Sequence, residues 1–546
     1  MNQLSANYPF YSWVPKPLGI IILILLFIPI LTVGGVYSVN SAEMMSGLGI
    51  QSEHIQFVSF VTYIGMAAFA PFFYDLVCIR REKLMCIMGF SIMYALSYVC
   101  AETDSIFLLA LCSLIMGFLR MVLMMVNLFT LIKYGFGMEA TKNITPGMDP
   151  RTEEGWDKLD IEKATSQPII YLFFMILGQL GTALTAWLAY EYEWQYVYYY
   201  MMGSTLTSIL IIFITMPYHG YTNRQSPINF AKFGSVAVFS SMMTCFIYVM
   251  IYGKVLDWFD DVSIVRATIL TIVFAVFFIY MESTIRSPYF LLGVFRLRTI
   301  IMGIILFTLL MILNSSSMFV NIFANVGMKI DNYQNAVLGN WCVVGYVIGA
   351  IISVALGARG VHLKYLFAIG FFLIGLSAVF MYFEVQTSGL YERLKYQVII
   401  RASGMMIVYA LTAVHANQRM PYRFLSSWIC IMLIVRMVVG PGIGTALYTN
   451  VFQHRQQHYV MRYAQNVDPM NPEAFRTYAM TKNGMLYQGK SETEAENMAA
   501  LSTKGRIQVQ ATLSAIKEMS GWTIYGCLFA IIFVLIFPYR KRKILT

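Results

Sequence analysis

Long apolar runs separated by short polar breaks dominate the pattern of this chain. About 20 helical residues cross roughly 30 Å of hydrocarbon. By that measure about fourteen stretches can span a bilayer: 18–38, 55–73, 84–100, 106–132, 169–190, 196–216, 233–252, 263–281, 300–323, 336–356, 365–383, 398–414, 425–449 and 524–538. Their apolar residues are continuous rather than alternating, which excludes barrel strands, and a bilayer offers backbone groups no water, so helices are expected. The predicted fold class is an all-α polytopic membrane protein. Two polar segments interrupt the rhythm. Residues 134–167 form a charged insertion containing Pro and Gly, whereas 450–520 is long enough to be a structure in its own right, with helical runs such as 494–519.

Composition agrees. With 58% hydrophobic and 12% charged residues and a mean hydropathy of +0.64, 546 residues hold too few polar side chains for a soluble surface. The net charge of +10 would suit nucleic acid, but its placement reads as a topology signal instead, and no nucleic-acid partner is expected. Arg80, Arg81 and Lys83 follow the second run, Arg286, Arg296 and Arg298 the eighth, Arg359 and Lys364 the tenth, Arg419 and Arg423 the twelfth, and Arg540 and Lys543 the last. The positive-inside rule places these loops in the cytoplasm, and both termini with them. The first run reads as an uncleaved anchor, being long and followed by another span. The eight cysteines lie in or at the ends of runs without a CxxC pair, so they are expected to pack rather than form a disulfide framework or metal site.

Several segments carry a resemblance. Gly47-Leu48-Gly49 precedes Ile55-Gln56-Phe57-Val58; Gly181-Thr182-Ala183-Leu184-Thr185-Ala186-Trp187-Leu188 is followed by Trp194-Gln195-Tyr196-Val197-Tyr198; Tyr252-Gly253, Asp257-Trp258, Glu282, Pro288 and Phe295-Arg296 surround the seventh and eighth runs; and 440–447 leads to Arg455 and His458. Together they resemble the major facilitator superfamily in its 14-span drug:proton antiporter branch, the EmrB/QacA type. The resemblance implies a six-helix bundle over 1–231 with the insertion 134–167, two inserted spans over 232–299, and a second bundle over 300–546 carrying the outer loop 450–520. It also implies a non-enzymatic exporter of small amphipathic or hydrophobic compounds in a bacterial inner membrane. Such a protein works by alternating access, is driven by protons without a cofactor, is embedded in membrane lipids, and joins an HlyD-like adaptor and an outer-membrane channel.

Among residues that could carry chemistry, Arg120 is the sharpest. A mid-membrane guanidinium costs about 2.5–3.5 kcal/mol on insertion scales, so it normally faces a cavity or a partner. Ser113, Gly117, Arg120, Met124 and Asn127 share one helical face, either cavity lining or an interhelical hydrogen-bond network. Aligned on Gly117, the fourth-span Arg of such transporters falls at Ser113. Their first-span Asp falls at Val33, leaving Glu43 as the nearest substitute for a coupling carboxylate, unless it is simply an interfacial Glu. Arg436 in the thirteenth run is a further transport or coupling candidate. Asp75, in Pro71-Phe72-Phe73-Tyr74-Asp75 ahead of Arg80 and Arg81, resembles the superfamily's cytoplasmic motif and would act as a charge latch rather than a topogenic charge. Polar stripes at Asn314, Ser317, Asn321 and Asn325, and at Gln179 with Thr182, either line a cavity or join helices.

Residues 484–491 match G-x-x-x-x-G-K-[ST], but 475–483 is neither apolar nor β-rich, so no phosphate-cradling loop is expected. Two rival readings remain: an exporter of one endogenous metabolite or lipid with altered coupling, favoured by the missing first-span Asp, and a nucleotide-dependent membrane enzyme or receptor, supported only by that match.

Overall fold

The apolar runs are helices in the computed structural model, which describes residues 9–34, 36–37, 40–72, 79–136, 153–218, 221–222, 231–285, 288–386, 389–418, 424–467 and 471–537. The helices formed by the first two runs are shorter than those of the rest. Helix α1 (Lys16–Thr32) breaks at Leu26, because Pro29 has no N–H and its ring crowds the carbonyl of Leu25, where the first helical stretch ends. After α2 (Ser41–Leu48), α3 (Ser52–Ala68) has only 17 residues and closes in a 3₁₀ turn at Ala70–Phe72.

Twelve described helices are long and apolar enough to cross a membrane. They are α4 (Glu82–Glu102), α5 (Ile106–Phe136), α6 (Glu153–Glu191), α7 (Tyr196–Thr215), α8 (Ala231–Tyr252), α9 (Val262–Thr284), α10 (Arg298–Gly327), α11 (Asn332–Ala358), α12 (Leu363–Glu384), α13 (Tyr391–Ala416), α14 (Ser427–Ala464) and, after α15 (Pro472–Tyr487), α16 (Glu492–Ile536). Part of the charged insertion, from Glu153, is helical and runs into the sixth helix through Pro168.

Small residues set the close packing, as expected where lipid supplies no hydrophobic drive between helices. A Cβ on Gly65 would run into the Leu114 carbonyl, and one on Gly117 into the Thr62 carbonyl, so α3 and α5 touch backbone to backbone. Gly345 and Gly349 do the same for α11 against α13. In the first half α4 also packs on α7, and α8 on α3 and α9; in the second, α12 packs on α13 and α16, and α10 on α13 and α14. The halves meet where α6 lies on α11 and α13, and where α3 reaches α14.

One side of the molecule carries a two-stranded pair, β1 (Ile79–Arg80) antiparallel to β2 (Tyr221–Thr222); we call it the basic side. On the opposite, hairpin side, α14 and α16 continue beyond their apolar stretches, held by Arg455–Glu518 (2.8 Å), Gln456–Thr512 (2.7 Å) and Tyr463–Ser514 (2.6 Å). Helix α15 folds back on α16, capped by Asn471, and Ser491 starts α16 with a capping box to Glu494. Ser491 of the G-x-x-x-x-G-K-[ST] match is therefore a helix N-cap, and a helix rather than a strand precedes the turn.

Candidate functional site

A cavity of about 530 Å³ lies between the halves, walled by α1, α3, α5 and α6 on one side and α11, α13 and α14 on the other. Most of its wall is soft and apolar: Met66, Met121, Met124, Met125, Met175, Met432 and Met437 interleave with Phe129, Phe174 and Trp428. Methionine has three rotatable bonds and a polarizable sulfur, so this wall can reshape around different ligands. Tyr63, Tyr171, Tyr346, Tyr409, Gln167, Gln179, Thr182 and Asn417 add hydrogen-bonding groups. Two positive charges, Arg120 and Arg436, complete the lining, and no carboxylate is among the described residues that form it.

Arg120 is only partly exposed, and its guanidinium lies against the backbone of Gly34 so closely that a Cβ there would clash with it. Gly34 thus leaves the space in which this charge sits at the end of α1. Arg436 arrives differently. Pro441 removes the N–H that would bond the Met437 carbonyl, and the preceding turn Val435–Val439 widens into a π-helix that carries Arg436. Its guanidinium stacks 4.9 Å over the Tyr409 ring. The Nε atoms of both arginines are buried without a hydrogen-bond partner, and the two charges repel one another across the cavity. Tyr171 stands edge-on to Tyr409 at 5.1 Å and donates to Met432 Sδ at 3.7 Å, joining α6 to α13 and α14.

On the hairpin side the halves close over the cavity through a few contacts. Gln179 Nε2 donates to Asn340 Oδ1 (3.0 Å), Tyr190 stacks on Tyr333 (4.9 Å, 20°), and Asn332 Nδ2 donates to Glu43 Oε1 (3.4 Å). The second Glu43 oxygen is buried without a partner. On the basic side the segment after α9 bonds to α3 and to α14. Tyr289 donates to the Ala67 carbonyl (2.5 Å), the amide of Leu291 donates to Ser427 Oγ (2.9 Å), and the amide of Phe290 donates to the buried Glu282 (3.2 Å).

Of the residues singled out in the sequence, the structure brings Arg120, Arg436 and Gln179 together at the cavity. Glu43 sits in the closure and bonds Asn332; no ion pair joins it to Arg120, whose electrostatic neighbours are Tyr63 and Arg436. Ser113 and Asn127 share a helical face with Arg120 but do not border the cavity. Ser113 hydrogen-bonds Tyr37 (2.6 Å), which continues to Tyr198 (2.8 Å), and Asn127 is packed against Cys86. Along α10, Asn314 accepts from Arg401 (3.4 Å), Ser317 lies in a 3₁₀ turn and Asn321 is exposed. Asp75 lies outside the described residues. Sequence reasoning passed over Arg401, although an Arg inside the run 398–414 carries the same signal as Arg120. It also passed over the four cavity tyrosines, which nothing distinguishes among 36 in the chain.

No protein-family model matches the chain, and no curated protein matches it. Solved structures do. The chain is similar to a crystal structure of the nucleoside transporter NupG, with TM-score 0.53 and 12% identity over 95% of this chain and 100% of that one. It is also similar to the peptide transporter POT in complex with alafosfalin, with TM-score 0.54 and 14% identity over 97% of each chain. Tetrameric PepTSo2 matches with TM-score 0.51 and 11% identity over 95% and 97%. The chain thus shares the overall fold of these transporter structures, with twelve described helices long and apolar enough to cross a membrane.

Proposed function

We propose that the protein is a secondary transporter that exports small amphipathic compounds by alternating access. Its two six-helix bundles would carry α8 and α9 between them, with α1 and α3 as the shorter members of fourteen spans. The observation that supports this reading most is the soft-walled cavity at the interface of the halves, closed toward the hairpin by one aromatic stack and two amide hydrogen bonds. Contacts of that kind contribute about 1 kcal/mol each, so thermal motion and ligand binding suffice to open them.

Protons are the proposed energy source, with Glu43 as the group that senses them. A carboxylate with one weakly bonded and one unpartnered oxygen in the closure changes its interactions when it is protonated. An HlyD-like adaptor is the proposed partner at the hairpin in a bacterial inner membrane, with both termini in the cytoplasm. Phe475, Met480 and Tyr487 stand exposed on α15, at 56, 60 and 93%. A second reading, export of one endogenous lipid or metabolite, is favoured by the absence of a carboxylate among the described cavity residues.

The test is flux of the neutral dye N-phenyl-1-naphthylamine in proteoliposomes with and without a pH gradient. Movement faster than in protein-free liposomes, and responsive to the gradient, is the expected result. Rates equal to those of empty vesicles, for this dye and for an anionic amphipath alike, overturn the transport reading.

A further inference from the structure

Resting on that transport reading, we propose that the cavity selects amphipathic anions, with the anionic head held between Arg120 and Arg436 and the apolar body against the methionine and aromatic wall. The charge balance of the cavity carries the inference. Two guanidiniums, one from each half, face one space, and no carboxylate among the described lining residues offsets them. Each keeps a buried Nε without a partner. A desolvated cation is costly unless it is paired, and a second cation nearby raises that cost by Coulomb repulsion. The resident side chains relieve it only in part. The Tyr409 ring beneath Arg436 offers it a π face rather than an acceptor oxygen or a counter-charge. Arg120 lies against Gly34, and none of the described residues forms an ion pair with it.

A planar N–H fork suits a carboxylate, sulfonate or phosphate oxygen pair, and an anion lying between the two would turn their repulsion into two attractions. Such an anion would touch both halves at once, so its binding would bias the equilibrium between conformations. A cationic amphipath would meet the opposite field. The volume of about 530 Å³ lies within the range of small-ligand pockets, about 300–1,000 Å³. A membrane lipid and a soluble metabolite can both present this chemistry.

The test uses the purified full-length protein in an uncharged detergent and the fluorescent probe 11-(dansylamino)undecanoic acid, with its methyl ester as control. The acid is expected to bind about tenfold tighter than the ester or better. Arg120→Gln and Arg436→Gln should each remove about that margin and leave ester binding unchanged, while Arg120→Lys should keep a substantial part of it. Gly34→Ala, which leaves both charges in place but puts a methyl against the Arg120 guanidinium, should weaken the acid alone. Competition assigns the source: displacement by lysophosphatidic acid but not octanesulfonate supports a lipid anion, and the reverse supports a soluble one. Equal affinity for acid and ester, unchanged binding in both Gln variants, or displacement by neither competitor overturns the proposal. Tight, arginine-dependent binding of the acid in a protein that moves neither the acid nor the dye across vesicles would instead sink the transport reading and leave the anion site standing.

Discussion

Ser113 and Arg120 stand two turns apart on one face of α5, yet their surroundings are opposites. At Ser113 the face meets Tyr37 and Tyr198, and three hydroxyls satisfy one another in a dry core. At Arg120 it meets Gly34 and open space, and a charge is left without a counter-charge. A buried polar group that is paired serves the fold, whereas one held unpaired beside a cavity is destabilising in the empty protein and gains its partner from outside. The two sites should therefore respond in opposite ways to mutation.

Arg120→Met produces the largest expected effect. Removing an uncompensated charge leaves no orphaned partner, so thermal stability in detergent should hold or rise, while flux of an anionic probe falls on the order of tenfold to a hundredfold. A fall in melting temperature with flux preserved would place Arg120 with Ser113 as a structural residue. Tyr37→Phe is the counterpart. It strands the buried Ser113 and Tyr198 hydroxyls, and should lower stability by about 1–3 kcal/mol while flux per folded molecule stays within about twofold. Denaturation of the purified variant together with its flux per folded molecule checks both halves of that expectation.

Helical periodicity could not separate these two sites. It places Ser113, Arg120 and Asn127 on one face, but what each level of that face meets depends on where α1 ends and on which helices stand opposite. The positions of the long helices were legible from apolar run length alone. The break in α1 and the π-turn at Arg436 were legible in principle too, since each lies just before a proline, Pro29 and Pro441. Arg120, Arg436 and Gln179 were found because polar groups in apolar runs are costly wherever they point. Asn314, Ser317 and Asn321 carried the same signal but lie away from the cavity, along a helix distorted by 3₁₀ and π turns. Tyr171, Tyr346 and Tyr409 come from three helices, and only the packing of α6 on α11 and α13 gathers them.

Smaller effects sharpen the comparison at the closure and the hairpin. Glu43→Gln keeps a group able to accept from Asn332, so stability should change by less than about 1 kcal/mol. The dependence of flux on the pH gradient should nevertheless disappear, and retention of that dependence in the vesicle assay would remove Glu43 from coupling. The smallest effect is expected at the partly exposed Lys482, which bonds Glu496 (2.6 Å) and Glu492 (3.1 Å). First Glu496 and then Glu492 hold its ammonium pKa above the ordinary 10.5. A raised folded-state pKa means that its contribution is fully present below 10.5 and is lost as pH rises through the raised value. Limited proteolysis should cut the hairpin slightly faster in Lys482→Met than in the parent at pH 8, and the difference should vanish in strong alkali; a difference that persists there would contradict the ion-pair account.

The most direct test of the account is whether the closure over the cavity opens. Spin labels at Glu191→Cys and Asp331→Cys, exposed positions beside the Tyr190–Tyr333 stack, report that gap by pulsed electron paramagnetic resonance, with the partly exposed Cys245 and with Cys78 replaced by Ser. Alternating access predicts two distance populations, a short one matching the stacked closure and a longer one, whose shares shift when 11-(dansylamino)undecanoic acid or a change of pH is applied. A single short distance under every condition would contradict it.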